Sequence, residues 1–125
     1  MPPIIKEALV EKSCDEEGSI LLECRIEAEP RPVVKWYKDD QLIHNTLAFT
    51  QSYDGKKPRL FIVSMKKGDE GLYKCEAKNV KGEAFTQAYI KVIGKYFRFQ
   101  MVIRIWVAEV GGSTSNLNHE MHSKY

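Results

Sequence analysis

The 125-residue sequence lacks a long hydrophobic run, a surplus of one charge and a dense set of cysteines. No stretch of about 18 apolar residues occurs, so we expect no membrane-spanning helix. There are 19 basic and 17 acidic residues, and the net charge of +2 is too small for the basic face that nucleic-acid binding usually requires. Three cysteines, at positions 14, 24 and 75, are too few for a disulfide-stapled miniprotein and are not spaced as a zinc site.

The composition changes at about residue 93. Residues 1–93 hold 15 basic and 15 acidic side chains, all five prolines and all three cysteines. We therefore predict one domain at 1–93 and a C-terminal extension at 94–125. Apolar and aromatic residues fill positions 96–110 with an alternation that fits a strand, although a helical spacing fits as well. The polar residues that follow, 111–125, are expected to be disordered.

Period-two alternation of apolar residues dominates the predicted domain. It occurs at 19–28, 33–37, 60–62, 73–77 and 84–92, with turn residues between these segments. Such alternation is typical of strands that have one buried and one solvated face. Many short strands at this spacing predict an all-β antiparallel sandwich or barrel.

The spacing of tryptophan, tyrosine and two cysteines favours the sandwich. Trp36 follows Cys24 by 12 residues and precedes Cys75 by 39, and Tyr73 stands two residues before Cys75. This combination resembles the immunoglobulin fold. The similarity covers about 92 residues and includes Asp69-x-Gly71-x-Tyr73-x-Cys75, as well as the opening Pro2-Pro3-x-Ile5. It is closest to the intermediate, or I-set, subclass, although Ala28 and Asp40 stand where such modules often have glycine.

The resemblance implies roles for several residues of the predicted core. Cys24 and Cys75 are expected to face each other across the two sheets, as a disulfide or as two thiols. Trp36 is expected to pack on them, and the Tyr73 hydroxyl to close a corner of the chain. The residues expected to form this structural core are Cys24, Trp36, Leu60, Ile62, Asp69, Gly71, Tyr73 and Cys75.

The sequence indicates no catalytic, cofactor or metal site, and we predict that the protein is not an enzyme. His119 and His122 are three residues apart rather than the four of a helical zinc motif, and they lie in the polar tail. Cys14 has no neighbouring histidine to activate it and is interpreted as a small strand residue or an unreactive thiol.

One apolar patch is a candidate protein contact. Phe61 and Val63 alternate with the buried residues of their strand, and Leu21 points outward on a strand expected to lie beside them. Scattered surface residues and a contact site are both consistent with this pattern.

Two functional classes follow from the resemblance. Within the I-set, the stretch from Trp36 to Asp39 and the opening prolines are most similar to modules of the titin, twitchin and projectin group and of myosin-binding proteins. That similarity implies a cytoplasmic scaffold module of the sarcomere or cytoskeleton, monomeric unless its tail associates, which binds filament proteins or neighbouring modules. The sequence has no secretory signal and no Asn-x-Ser/Thr site, which agrees with this interpretation. The alternative is an extracellular adhesion or receptor module. In either case the I-set resemblance implies that residues 9–13 pair in parallel with the final strand at 84–92.

Overall fold

The computed structural model describes residues 1–94 together with Ile103, Arg104 and Trp106, and the rest of the predicted extension lies outside the described residues. Ile103, Arg104 and Trp106 are helical. The elements of residues 1–94 are β1 (Ile4–Glu7), β2 (Lys12–Asp15), β3 (Ile20–Glu23), β4 (Arg25–Glu27), β5 (Val33–Lys38), β6 (Gln41–Leu42), β7 (Phe49–Tyr53), β8 (Pro58–Ile62), a 3₁₀ helix (Lys67–Asp69), β9 (Gly71–Asn79) and β10 (Gly82–Ile93).

The strands form two layers. One layer is a five-stranded sheet in the order β2-β10-β9-β5-β6. The other consists of the sheet β3-β8-β7, extended by the pair β1-β4. Backbone bonds join the pair to the sheet, because Cys24 donates to the Pro58 carbonyl at 3.2 Å and Ile26 donates to the Lys56 carbonyl at 2.8 Å. The predicted all-β sandwich is therefore confirmed.

The strand predicted at 19–28 is divided in two. β3 pairs with β8, whereas β4 pairs with β1, and Cys24 lies between them. The side chains predicted to face inward along this segment are nevertheless buried; they are Ile20, Leu22, Cys24 and Ile26.

The chain crosses from one sheet to the other between β1 and β2. Leu9 is buried at this crossing, and its amide donates to the Thr86 hydroxyl at 3.0 Å. The parallel pairing with β10 then begins at Lys12, which lies opposite Ile90. The position predicted for this strand, 9–13, was therefore about three residues too early. Val10 lies outside the strand with 60% of its surface exposed.

The space between the sheets is filled by apolar side chains that alternate with outward-facing ones. Trp36 lies opposite Cys75 in the pairing of β5 with β9, and both are almost completely buried. The buried core cluster consists of Leu9, Cys14, Ile20, Leu22, Cys24, Ile26, Trp36, Leu60, Ile62, Met65, Tyr73, Cys75, Ala77, Ala88, Ile90 and Val92. Burying each large side chain contributes roughly 1.5–3 kcal/mol, so this cluster supplies the main driving force for folding.

The free edge of β7 is covered by polar groups of neighbouring segments. The Phe49 amide donates to the Thr46 hydroxyl at 3.1 Å, and the Thr46 amide donates back to the Phe49 carbonyl at 2.8 Å. Asn45 accepts from the Gln51 amide at 2.8 Å, and Arg31 donates to the Tyr53 carbonyl at 2.8 Å. This edge therefore presents few unpaired backbone groups.

The turn after β5 is locked to the start of β9. Asp39 and Asp40 have φ values of 49° and 65°, left-handed conformations that aspartate adopts more readily than most residues. The Asp39 amide donates to the Leu72 carbonyl at 2.9 Å, and the Leu72 amide donates to the Asp39 carboxylate at 2.9 Å. Gly71 is adjacent, and a Cβ atom placed on it would lie 2.6 Å from an Asp39 carboxylate oxygen.

This geometry predicts that Gly71→Ala destabilises the domain by about 1–3 kcal/mol. The added methyl group would push the Asp39 carboxylate away from the Leu72 amide. Gly68→Ala is the matched control, because a Cβ at Gly68 has no atom within 4 Å; its effect should stay within about 0.5 kcal/mol. Urea denaturation measures both variants, and equal stabilities would contradict the role of Gly71.

Candidate functional site

The two cysteines expected to face each other are both buried, and no disulfide joins them in the structure. They are in hydrogen-bonding contact, and this contact, together with burial, raises the pKa of Cys75. A thiol that resists deprotonation is a poor nucleophile. The pair lies beside Trp36 in the core, where its geometry suits packing rather than catalysis.

Two further residues of the predicted core have specific partners. The Tyr73 hydroxyl donates to the Asp69 carbonyl at 2.5 Å, and burial raises its pKa. Asp69 in turn accepts from the Lys66 amide at 2.8 Å. These bonds fix the turn that leads into β9, which is where the resemblance placed the corner.

Cys14 lies inside the sandwich on β2. Its thiol donates weakly to the carbonyls of Asp15 and Ser19, at 3.4 and 3.8 Å. Burial, followed by the charge of Asp15, raises the pKa of this thiol.

Sequence reasoning missed an unusual tyrosine near the cysteine pair. The Tyr53 hydroxyl is buried and has no hydrogen-bond partner among the described residues. Burial raises its pKa, while the Arg31 guanidinium lies 4.9 Å from the centre of its ring. Tyr53 lies opposite Pro58 in the pairing of β7 with β8, and the Pro58 carbonyl accepts a hydrogen bond from the Cys24 amide. Tyr53 is therefore at the same position along the strands as Cys24. The alternation pattern around β7 was too irregular to indicate this placement.

The structure brings together two residues of the predicted apolar patch. Leu21 and Phe61 are directly opposite each other in the pairing of β3 with β8, and they are 40% and 42% exposed. Val63 follows the end of β8, is half-buried, and donates its amide to the Ala48 carbonyl at 3.0 Å. The exposed part of the patch is therefore the Leu21–Phe61 pair.

A network of ion pairs occupies the same sheet beside this patch. Arg59 contacts Glu23 at 2.6 Å and Asp54 at 3.8 Å, and Lys57 lies 3.8 Å from Glu23. The hydrogen bond from Arg59 lowers the pKa of Glu23. The network largely balances its own charge, so it adds no strong electrostatic field to the patch.

The outer face of the five-stranded sheet carries exposed aromatic residues that sequence reasoning did not single out. Phe85 is 58% exposed, and Tyr89 is also exposed. Both are the outward members of the alternation in β10, so the signal was present in the sequence.

The parallel pair β2–β10 is supported by side chains of the segment that precedes β9. Glu70 accepts from the Val92 amide at 2.9 Å, and Lys67 donates to the Val92 carbonyl at 2.8 Å. Lys67 and Glu70 also contact each other at 3.1 Å, and Tyr89 donates to Glu70 at 3.2 Å. This ion pair takes the place of a neighbouring strand at Val92.

The described residues contain no group of three or more histidine, cysteine, aspartate or glutamate side chains that could hold a metal ion. The His119 and His122 pair lies outside them. None of the helical residues described in the structure belongs to a helix long and apolar enough to cross a membrane.

Comparison with known proteins agrees with this arrangement of strands, cysteines and tryptophan. Residues 3–92 match the family model described as the Immunoglobulin I-set domain. The chain belongs to the immunoglobulin I-set family. I-set domains are generally structural or binding modules.

The relatives of this I-set domain include muscle proteins and receptors. It is 36% identical over 88 residues to the muscle M-line assembly protein unc-89 of Caenorhabditis elegans, covering 69% of this chain and 1% of that protein. It is 34% identical over 93 residues to the vascular endothelial growth factor receptor kdr-like of Danio rerio, covering 74% of this chain and 7% of the receptor. The chain thus spans less than a tenth of either relative.

A solved structure of the titin M10–obscurin-like 1 Ig complex is also similar. It aligns with a TM-score of 0.72 and 28% identity, covering 74% of this chain and 95% of that one. The similarity of this I-set domain therefore extends both to muscle proteins and to receptors.

We predict that Glu70 makes the stability of the I-set domain sensitive to acid. The Val92 amide, followed by Lys67, lowers the pKa of Glu70. The stabilisation that Glu70 provides is therefore complete above about pH 4.3, the pKa of glutamate in the unfolded chain. It is lost as the pH falls through the lower pKa that Glu70 has in the folded domain. Glu70→Gln should therefore reduce the loss of unfolding free energy that occurs as the pH falls below about 4.3.

Urea denaturation at a series of pH values tests this prediction. Glu11→Gln is the matched control, because Glu11 is exposed and has no hydrogen bond or ion pair with the described part of the chain. If both variants keep the acid dependence of the unchanged protein, Glu70 does not contribute as proposed.

Proposed function

We propose that this I-set domain is a non-enzymatic structural and protein-interaction module of an intracellular muscle scaffold. The observation that carries the proposal is the parallel pairing of β2 with β10. β2 lies near the start of the domain and β10 at its end, so tension between the two ends loads the bonds between these strands in shear. Several bonds must then break together, which suits a module that transmits force. Similarity to an M-line assembly protein supports the same role.

The register identifies the backbone groups that join the two strands. The Glu16 amide donates to the Ile93 carbonyl at 2.9 Å. Because amides alternate in direction along a strand, those of Lys12 and Cys14 also point toward β10. The Ser13 amide points the other way, and β2 forms the edge of its sheet.

We predict that Lys12→Pro lowers the unfolding force measured by single-molecule pulling. Proline removes the amide that Lys12 directs toward β10, at an equilibrium cost of about 1 kcal/mol. Ser13→Pro removes an amide that does not face β10 and should leave the force close to that of the unchanged domain.

Two controls separate mechanical from general destabilisation. Lys12→Ala removes the side-chain bond from Lys12 to the Leu21 carbonyl, at 3.0 Å, but keeps the amide. Ile62→Val costs about 0.5–1.5 kcal/mol in the core without touching the strand pair. If Lys12→Pro and Ile62→Val lower the force equally, the β2–β10 pair is not the mechanical clamp.

A second candidate function is an extracellular adhesion or receptor module, favoured by the similarity to a growth factor receptor. The redox state of the cysteines distinguishes the two. We propose a cytoplasmic location, where Cys24 and Cys75 would stay reduced.

We therefore predict three free thiols in protein from its native source. The protein is unfolded under conditions that quench thiol exchange, and each cysteine is labelled and counted by mass spectrometry. Cys14 serves as the internal reference. A single labelled cysteine, with Cys24 and Cys75 joined, would contradict the cytoplasmic proposal and support the extracellular one.

The scaffold proposal also includes a contact surface and a boundary. We propose that residues 1–93 form the folded module and that Leu21, Phe61 and Val63 contact a filament protein or a neighbouring module. The exposure of the Leu21–Phe61 pair supports this contact. The similarity of the domain to a solved complex of titin M10 with an obscurin-like 1 Ig also supports a protein-contact role.

A further inference from the structure

The outer face of the five-stranded sheet has a cluster of aromatic rings around one lysine, here called the aromatic face. The Lys74 ammonium lies 4.9 Å from the centre of the Tyr37 ring and 5.6 Å from that of Phe85. Asp40 contacts the same ammonium at 3.5 Å. Lys74 is therefore held in place, and the exposed surfaces of Phe85 and Tyr89 are presented on a rigid sheet.

A groove lies on the same face, with a volume of about 570 Å³. Val33, Tyr37 and Val80 contribute apolar walls, and Lys35, Lys78 and Glu76 contribute charge. Val33 and Val80 are among the most exposed apolar residues of the described structure. In register, Lys35 and Phe85 flank Glu76 on its two neighbouring strands, so the groove and the aromatic cluster form one continuous surface.

Positive charge exceeds negative charge on this surface. The outward residues of β5, β9 and β10 include four lysines but two glutamates: Lys35, Lys74, Lys78, Lys91, Glu76 and Glu83. Lys78 pairs with Glu83 at 3.5 Å, whereas Lys35 and Lys91 form no ion pair with any described residue. The opposite sheet differs, because the charges of its Glu23–Arg59 network compensate one another.

We propose that the aromatic face binds a protein segment in which acidic residues alternate with apolar ones. Aromatic and apolar side chains that are exposed on a rigid surface are typical of the centre of protein interfaces. Unpaired lysines at their rim favour a partner with the opposite charge. A second copy of this chain fits less well, because both copies would bring the same excess of positive charge. This binding does not depend on the mechanical role of β2 and β10.

Fluorescence anisotropy with the full chain tests the proposal. The probe is a short fluorescein-labelled peptide in which glutamate alternates with leucine and phenylalanine. Two comparison peptides replace either its glutamates by lysine or its apolar residues by serine. We expect the glutamate–apolar peptide to bind, and both comparison peptides to bind at least about tenfold more weakly.

Matched variants locate the binding surface. Phe85→Ser and Lys35→Glu should each weaken binding about tenfold or more. Ile4→Ser removes an exposed apolar side chain from β1 in the other layer, and Lys56→Glu makes the same change of charge in the β7–β8 turn; both should bind like the unchanged chain. Circular dichroism confirms that each variant is folded. Absence of binding, equal binding of the lysine peptide, or equal effects of the variants on the two sheets would overturn the proposal.

Discussion

The contact between the two sheets at Trp36 is the interaction on which the rest of the structure depends. Trp36 and its partner Cys75 come from the five-stranded sheet, and Cys24 meets them from the other. Because water is excluded from this contact, every strand that contributes to it places apolar side chains inward at alternate positions. The outward positions are free of that requirement. The core therefore determines the fold, and the outer faces and edges can vary without disturbing it.

The sequence predicted the core well because the inward positions follow a simple rule. The spacings of Cys24, Trp36 and Tyr73 identified the sandwich, and all three side chains are buried. The prediction was less accurate at the parallel strand, whose start the resemblance to I-set modules placed at Leu9. In the structure Leu9 instead fills the crossing between the sheets and bonds to Thr86, which moves the pairing with β10 toward the C-terminus.

The aromatic face could not be predicted from single strands. The outward position of Phe85 follows from alternation, but its proximity to Lys74 and Tyr37 depends on the register of three strands. Register is set by turn geometry and by the burial of the opposite face, which a local pattern does not report. The same reasoning explains why the family assignment leaves the biological role open. The domain is similar both to a muscle protein, at 36% identity, and to a receptor, at 34%, so the fold does not select between these roles.

The covered edge of β7 has a consequence for the way the domain meets other polypeptide chains. Side chains of Asn45, Thr46 and Arg31 occupy backbone groups that an unfolded neighbour would otherwise use to add a strand. Pairing of an unprotected edge strand with another chain is a characteristic route to misassembly. Three polar side chains compete with that pairing on this side of the sandwich. Addition of a foreign strand is therefore disfavoured at β7 even when other chains are abundant.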